Sequence, residues 1–342
     1  MKKSAVVIFP GRGTYGKDEL GYLARHHSNK AEFIAGVDQW REQQGRATVS
    51  SLDSAKSYAA SKHASSINAS AIIYACALAD FADINRDKFE IAAVCGNSLG
   101  WYLTLAAAGA LNQANAIRLV DTMGALMEEK GVGGQLIYPF VDEDWRASRT
   151  HERAIANALH AGRTEGNAFL SIRLGGMAVL AGDDAGMAAM EKSLPKAEER
   201  YPFRLARHAA FHTPLLAHVS GAAFEQLGPD LFTAPDIPMV DGRGAIWTRN
   251  ATEADELHQY TLGQQITETY DFSKSIEVAI KEFAPDVLIL AGPGATLGAP
   301  VAQELIRHRW LGLESKADFS ARQKSDPFLL AMGRKGQRRR VL

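Results

Sequence analysis

"IAAVCGNSLGWYLTLAAAGAL", residues 91–111, stops an apolar run at Gly96, sets a serine between two glycines and continues into an alanine-rich segment. The five residues Gly96-Asn97-Ser98-Leu99-Gly100 form a G-x-S-x-G pattern. A short buried strand before it and a helix after it are the context in which that pattern builds a nucleophile elbow. The glycines permit a sharp turn that lifts the Ser98 hydroxyl clear of the backbone. The helix that follows aims its unpaired N–H groups and positive dipole end at the same place. Ser98 is therefore a candidate nucleophile and the Leu99 N–H a candidate oxyanion donor, with an ordinary turn serine as the competing reading.

Outward from the elbow, strands alternate with helices. "AVVIF" (5–9) predicts a buried strand ending in the Gly-rich loop "PGRGTYGK", and "SINASAIIYACALADFAD" (66–83) an apolar helix. "QANAIRLVDTMGALMEEKG" (113–131) places Ile117, Val120, Met123 and Met127 at helical spacing. Continuously apolar strands between helices indicate a parallel sheet covered on both faces, an α/β class. The middle differs: strands at 133–140, 168–174 and 177–183, with helices at about 143–161 and 184–194, give a β-α-β-β-α order and suggest an inserted ferredoxin-like subdomain. The expected division is a discontinuous α/β core of residues 1–132 and 208–320, an insert of 133–207, and a solvated basic tail of 321–342 carrying the cluster "RKGQRRR".

Composition excludes several classes. The chain has 342 residues, 46% hydrophobic and 23% charged, with a net charge of -1, so no global charge draws it to nucleic acid or an anionic membrane. Cys76 and Cys95 both sit in apolar surroundings and are expected as buried reduced thiols, not a disulfide framework or a metal site. "MKKSAVVIFPG" is too short in apolar residues for a signal-peptide core, and no run approaches the roughly 18 apolar residues of a membrane span. A soluble cytoplasmic protein is expected.

A serine nucleophile needs a base. Among ten histidines, His26, His27, His63, His151, His160, His258 and His308 lie in polar stretches and are expected at the surface; His218, inside a helix, is expected to pack. His208 and His212, both in "RHAAFHTPLL", run into that helix and are the candidates.

Four blocks in order, "FPGRGTYG", "GNSLGWYLTLAAAGAL", "AFHTPLL" and "AGPGATL", resemble the malonyl-CoA:acyl-carrier-protein transacylases and the acyltransferase domains of polyketide synthases. The resemblance covers about residues 5–310 and implies a parallel-sheet, hydrolase-like acyltransferase core with an inserted ferredoxin-like subdomain. It implies Ser98 as nucleophile, His212 as general base and Gln265 as the residue whose backbone carbonyl orients that histidine, with no triad carboxylate. Arg12 matches a position whose backbone N–H completes the oxyanion hole with that of Leu99. The implied chemistry moves an acyl group from acyl-CoA to the phosphopantetheine thiol of an acyl carrier protein through an acyl-serine. No bound cofactor or metal is expected, and a monomer is.

The departures concern the substrate. The family's carboxylate-binding arginine is matched by Met123, which cannot pair with a free carboxylate, so a neutral acyl group is expected. Asn97 stands where a histidine is usual, and Trp101 where glutamate is frequent; Trp101 is expected to pack. "SIRLGGMAVLAG" sets Arg173 near a family asparagine, so Asn97, Met123 and Arg173 are the candidate substrate-binding residues, with Arg12 or Arg173 as possible replacement cations. A hydrolase that clears acyl groups from carrier proteins is the alternative, and a catalytically silent carrier-binding module the third reading.

Overall fold

The computed structural model describes residues 1–342. Eleven strands divide between two sheets. In chain order they are β1 (Lys3–Phe9), β2 (Phe89–Gly96), β3 (Gly134–Pro139), β4 (Ala168–Leu174), β5 (Met177–Gly182), β6 (Phe203–Leu205), β7 (Met239–Val240), β8 (Ile246–Trp247), β9 (Tyr270–Asp271), β10 (Val287–Leu290) and β11 (Leu329–Ala331).

The larger sheet runs β11-β10-β1-β2-β7-β8, parallel throughout except for β8. Its central strand β1 is buried from Ala5 to Phe9, as a strand packed on both faces must be. Helices Ser66–Asp83 and Gln113–Lys130 pack along one another beside it, and Ile117, Val120 and Met123 face inward at the expected spacing. Cys76 and Cys95 are free and buried. No helix is long and apolar enough to cross a membrane.

The smaller sheet, β6-β3-β5-β4-β9, pairs its first four strands antiparallel. Helix Arg149–Glu165 joins β3 to β4 and helix Asp184–Ser193 joins β5 to β6, which is the β-α-β-β-α-β connectivity of a ferredoxin-like unit. Leu136, Tyr138, Leu180, Met187 and Met190 form a second core between this sheet and its helices. Strand β9 belongs to the rest of the chain and adds in parallel to β4, so the two sheets are tied at Ile172 and Tyr270.

Three expectations are corrected. The helix anticipated from residue 143 begins at Arg149, because Asp142 accepts from the amides of Asp144 (3.0 Å) and Arg146 (2.9 Å) and closes a turn instead. Ser148 then caps the helix, accepting from the His151 amide at 3.3 Å. The C-terminal segment is no solvated tail: β11 extends the large sheet beside β10, and helix Lys335–Val341 returns over the core. Its Arg338 is 5% exposed, paired with Asp80 and, at 3.4 Å, with Asp83. Those partners lie more than 250 residues away in sequence, out of reach of local pattern. Finally, His27, His63 and His258 are buried and His218 is exposed, the reverse of what their neighbours suggest.

Candidate active site

β2 ends at Gly96, and the chain turns through Ser98, whose φ of 56° puts a non-glycine residue in the left-handed region. Such strain persists only where the surroundings enforce it. Here the enforcement is close packing: a Cβ on Gly96 would stand 2.3 Å from the Gly100 oxygen, and one on Gly100 2.4 Å from the Phe9 oxygen. The turn is closed by Gly100 N–H to the Asn97 carbonyl (2.8 Å) and Trp101 N–H to the Ser98 carbonyl (2.9 Å). Tyr270 donates its hydroxyl to the Gly96 carbonyl at 2.6 Å and pins the strand end. Trp101 packs, as expected: it is fully buried and donates to Thr261 Oγ1 at 3.0 Å.

His212 Nε2 lies 2.7 Å from Ser98 Oγ, and its Nδ1 lies 2.6 Å from the Gln265 backbone oxygen. A carbonyl only accepts, so Nδ1 carries the proton, Nε2 is the free acceptor, and the Ser98 hydroxyl donates to it. Burial pushes the imidazole down to about 4, while the Gln265 carbonyl works in the opposite direction. The ring is therefore neutral near pH 7, with Nε2 free as an acceptor. Gln265 follows a π-helical turn, Tyr260–Gln264, an irregularity frequent at functional sites. Its side chain adds a brace: Nε2 donates to the Ser98 carbonyl (3.2 Å), and Oε1 accepts from the Tyr102 hydroxyl (3.1 Å). Neither the amide brace nor Tyr102 carried a sequence signal beyond lying near a motif.

Beside the pair is a cavity of about 50 Å³. Met123 and Met127, one turn apart on one helix, form part of its wall with Phe211, and Ser66 and Ser70 line it from the neighbouring helix. Met127 was expected only as an inward position of the helix, and Ser66 and Ser70 were not singled out. Leu99 and Arg12 border the cavity beside Ser98, and neither amide is used in a turn or loop hydrogen bond. The Arg12 guanidinium bonds through Nη2 to the Ala64 (3.0 Å) and Arg207 (3.3 Å) carbonyls and lies 5.3 Å from the Phe211 ring centre. Its Nε and Nη1 are buried without partners, and burial pushes its pKa down to about 10, so it stays charged.

Two of the expected substrate contacts are absent from this cavity. Arg173 is half-exposed, 3.7 Å from Asp271, and lines a separate cavity of about 600 Å³ beneath Phe140. An irregularity in the β4–β5 register between Leu170 and Ile172 leaves Ser171 and Ile172 both buried, and Arg173 after them faces outward. Asn97 is buried behind the elbow, its Nδ2 standing 2.9 Å from where a Cβ on Gly11 would be. His208, the other candidate base, turns away and bonds Gln135 Oε1 through Nδ1 at 2.8 Å.

No protein-family model matches the chain. Among curated proteins, a malonyl-CoA:acyl-carrier-protein transacylase of Salmonella typhimurium is 25% identical over 211 residues, covering 60% of this chain and 63% of that protein. The polyketide synthase GfsB of Streptomyces halstedii is 26% identical over 209 residues, which span 60% of this chain and 4% of the synthase. The alignments thus span less than two thirds of either curated relative. Among solved structures, an acyl-carrier-protein S-malonyltransferase from Burkholderia pseudomallei superposes with a TM-score of 0.76 at 19% identity, covering 98% of each chain. The malonyl-CoA:acyl-carrier-protein transacylase of Synechocystis gives 0.74 at 20% identity over all of both chains. The chain has the fold of the malonyl-CoA:acyl-carrier-protein transacylases and resembles them in sequence.

Proposed function

We propose that the chain is an acyltransferase that moves an acyl group from coenzyme A to the phosphopantetheine thiol of an acyl carrier protein. The observation that carries this reading is the line Ser98 Oγ–His212–Gln265 carbonyl, at 2.7 and 2.6 Å, on a strained elbow beside a small cavity. His212 Nε2 takes the Ser98 proton as Oγ attacks the thioester carbonyl carbon. The oxyanion accepts hydrogen bonds from the Leu99 and Arg12 amides, donors fixed before the charge develops. Collapse breaks the C–S bond, His212 returns the proton to the departing thiolate, and an acyl-serine ester remains. The carrier thiol then repeats the steps in reverse, losing its proton to His212. Proton movement at one imidazole and charge at two amides suffice, so the transfer calls for no metal or cofactor.

The acyl group is read by the cavity wall. Met123 and Met127 offer no partner to a free carboxylate, and burying one there unpaired would cost several kcal/mol. A short neutral acyl group fits that wall. One observation favours a second reading, an acyl group ending in a carboxylate: the two unpartnered nitrogens of Arg12 at the same cavity.

Intact-protein mass after incubation with acetyl-CoA, malonyl-CoA and longer acyl-CoAs, with and without carrier protein, tests the proposal. A mass increment at Ser98 that persists until carrier protein is added supports transfer. Loss of the increment to water alone assigns a hydrolase, and no increment with any thioester removes the catalytic reading.

A further inference from the structure

Behind the loop that carries His212, a chain of buried hydrogen bonds leads out of the small sheet. His208 Nδ1 meets Gln135 Oε1 at 2.8 Å, Gln135 Nε2 donates to Ser171 Oγ at 2.6 Å, and Ser171 Oγ donates to the Phe211 carbonyl at 2.7 Å. Gln135, on β3, and Ser171, on β4, are almost fully buried. We propose that Gln135 and Ser171 are positioning residues for the base His212, an assignment that rests on the reading of Ser98 and His212 as nucleophile and base.

The argument is geometric. The Phe211 carbonyl belongs to the peptide plane whose nitrogen is that of His212, and the peptide bond is rigid. Fixing that oxygen fixes the plane from which φ of His212 is measured, and φ there is 56°, a left-handed value a histidine does not adopt unaided. The loop has no helix or strand to hold it between β6 and Pro214. Its backbone is also tied by the Ala210 amide to the Val132 carbonyl (2.7 Å), the Phe211 amide to the Ala209 carbonyl (2.8 Å), Thr213 Oγ1 to the Ala210 carbonyl (2.6 Å) and Arg12 Nη2 to the Arg207 carbonyl (3.3 Å). Only the Ser171 bond acts on the plane next to the base.

The polarity of the chain is determined throughout. Ser171 gives its single proton to Phe211, so it accepts from the Gln135 amide nitrogen, which turns Oε1 toward His208. His208 then donates from Nδ1, as either charge state allows; burial and the Arg12 charge push its pKa down to about 3, so the ring is neutral. The small sheet, which supplies neither nucleophile nor base, in this way sets the base loop. Around His212 itself stand the Ser98 hydroxyl, the Tyr270 ring at 5.3 Å and the Gln265 carbonyl; Arg12 borders the same cavity, and the Arg12 guanidinium and the His208 ring both lie against Phe211.

Ser171→Ala, Gln135→Met and the conservative Ser171→Thr test this. In each, the rate of Ser98 acylation by acyl-CoA, the ¹⁵N titration of the His212 imidazole (assigned with His212→Gln) and the thermal midpoint are measured. Ser171→Ala and Gln135→Met are expected to lower the acylation rate about tenfold with KM unchanged, as misplacement of a reacting group does. The His212 titration should rise toward the ordinary 6.5 as the ring gains water, and Ser171→Thr should restore both. Unchanged acylation and an unchanged titration, whatever the thermal midpoint does, would overturn the proposal. Ser171→Ala removes one oxygen and is the variant that decides if Gln135→Met does not fold. The titration needs no substrate: a shifted His212 with no acylation even in wild type supports the positioning chain and removes acyl transfer.

Discussion

Ser98 and His212 meet at 2.7 Å because each holds a left-handed backbone that its residue type disfavours, at φ 56° in both cases. Ser98→Ala is expected to remove acyl-enzyme formation with little effect on folding, read by intact mass; an adduct elsewhere would refute the elbow assignment. His212→Ala should slow acylation by about 10²–10⁴-fold, the usual worth of a general base, and His208→Ala by much less. Because burial holds His212 near 4, the acid limb of kcat/KM should fall near pH 4, not 6.5. The sign for stability is the opposite of a salt-bridged histidine. The unfolded chain takes up the proton below about 6.5 and the folded chain does not until about 4, so stability falls as pH drops through that window. Urea midpoints at pH ~7 and ~5 should differ, and the difference should shrink in His212→Gln. At the same scale Met123→Arg should shift selectivity toward malonyl-CoA by about 1–3 kcal/mol. A wild type that already prefers malonyl-CoA, and loses that preference in Arg12→Gln, would assign the carboxylate to Arg12. Ser98 and Leu99 were marked by the elbow motif, whereas His212, Gln265 and Met123 were picked out only by the resemblance to the acyltransferase family. Arg173 and Asn97 misled because a position beside a motif does not fix which way a side chain faces. Ser66, Ser70 and Gln135 gave no sign, since what they touch is set by helix and sheet packing.

At the scale of elements, the elbow is a strand end and a helix start pressed together until no side chain fits between them. Gly100→Ala would put a Cβ 2.4 Å from the Phe9 oxygen, a backbone atom of the central strand that cannot step aside. The expected result is a loss of stability of about 1–3 kcal/mol, with acylation impaired beyond what that loss explains because Ser98 moves with the turn. An unchanged urea midpoint with full activity would refute it. Buried strands and the two long helices were readable because one period runs through each: Ser66–Asp83 begins and ends where the apolar run does. The start at Arg149 was not, because an Asp142 turn there displaces a pattern that is otherwise helical. Strands β7, β8 and β9 are two residues each and exist only through their neighbours.

Across the whole molecule, the C-terminal segment closes the sheet and fixes an internal charge cluster. Asp80 is fully buried and held below the usual carboxylate range; burial opposes its charge, and the His27 hydrogen bond and the Arg338 charge outweigh it. Arg338→Ala would leave that carboxylate with one partner fewer, and breaking a buried pair in this way costs about 3–5 kcal/mol. Deleting residues 326–342 removes β11 as well and should destabilise further, a loss that urea denaturation would read directly. The neighbouring Arg339 and Arg340 are exposed on the same short helix, so structural and steering roles separate by residue. If the partner is an acidic carrier protein, Arg339→Glu with Arg340→Glu should raise KM for carrier protein at low salt, and the difference should fade as salt screens it. Kinetics with acyl-CoA and the urea midpoint should stay as in wild type. A KM for carrier protein that does not respond to these reversals, in a variant as stable as wild type, would place the docking surface away from this helix.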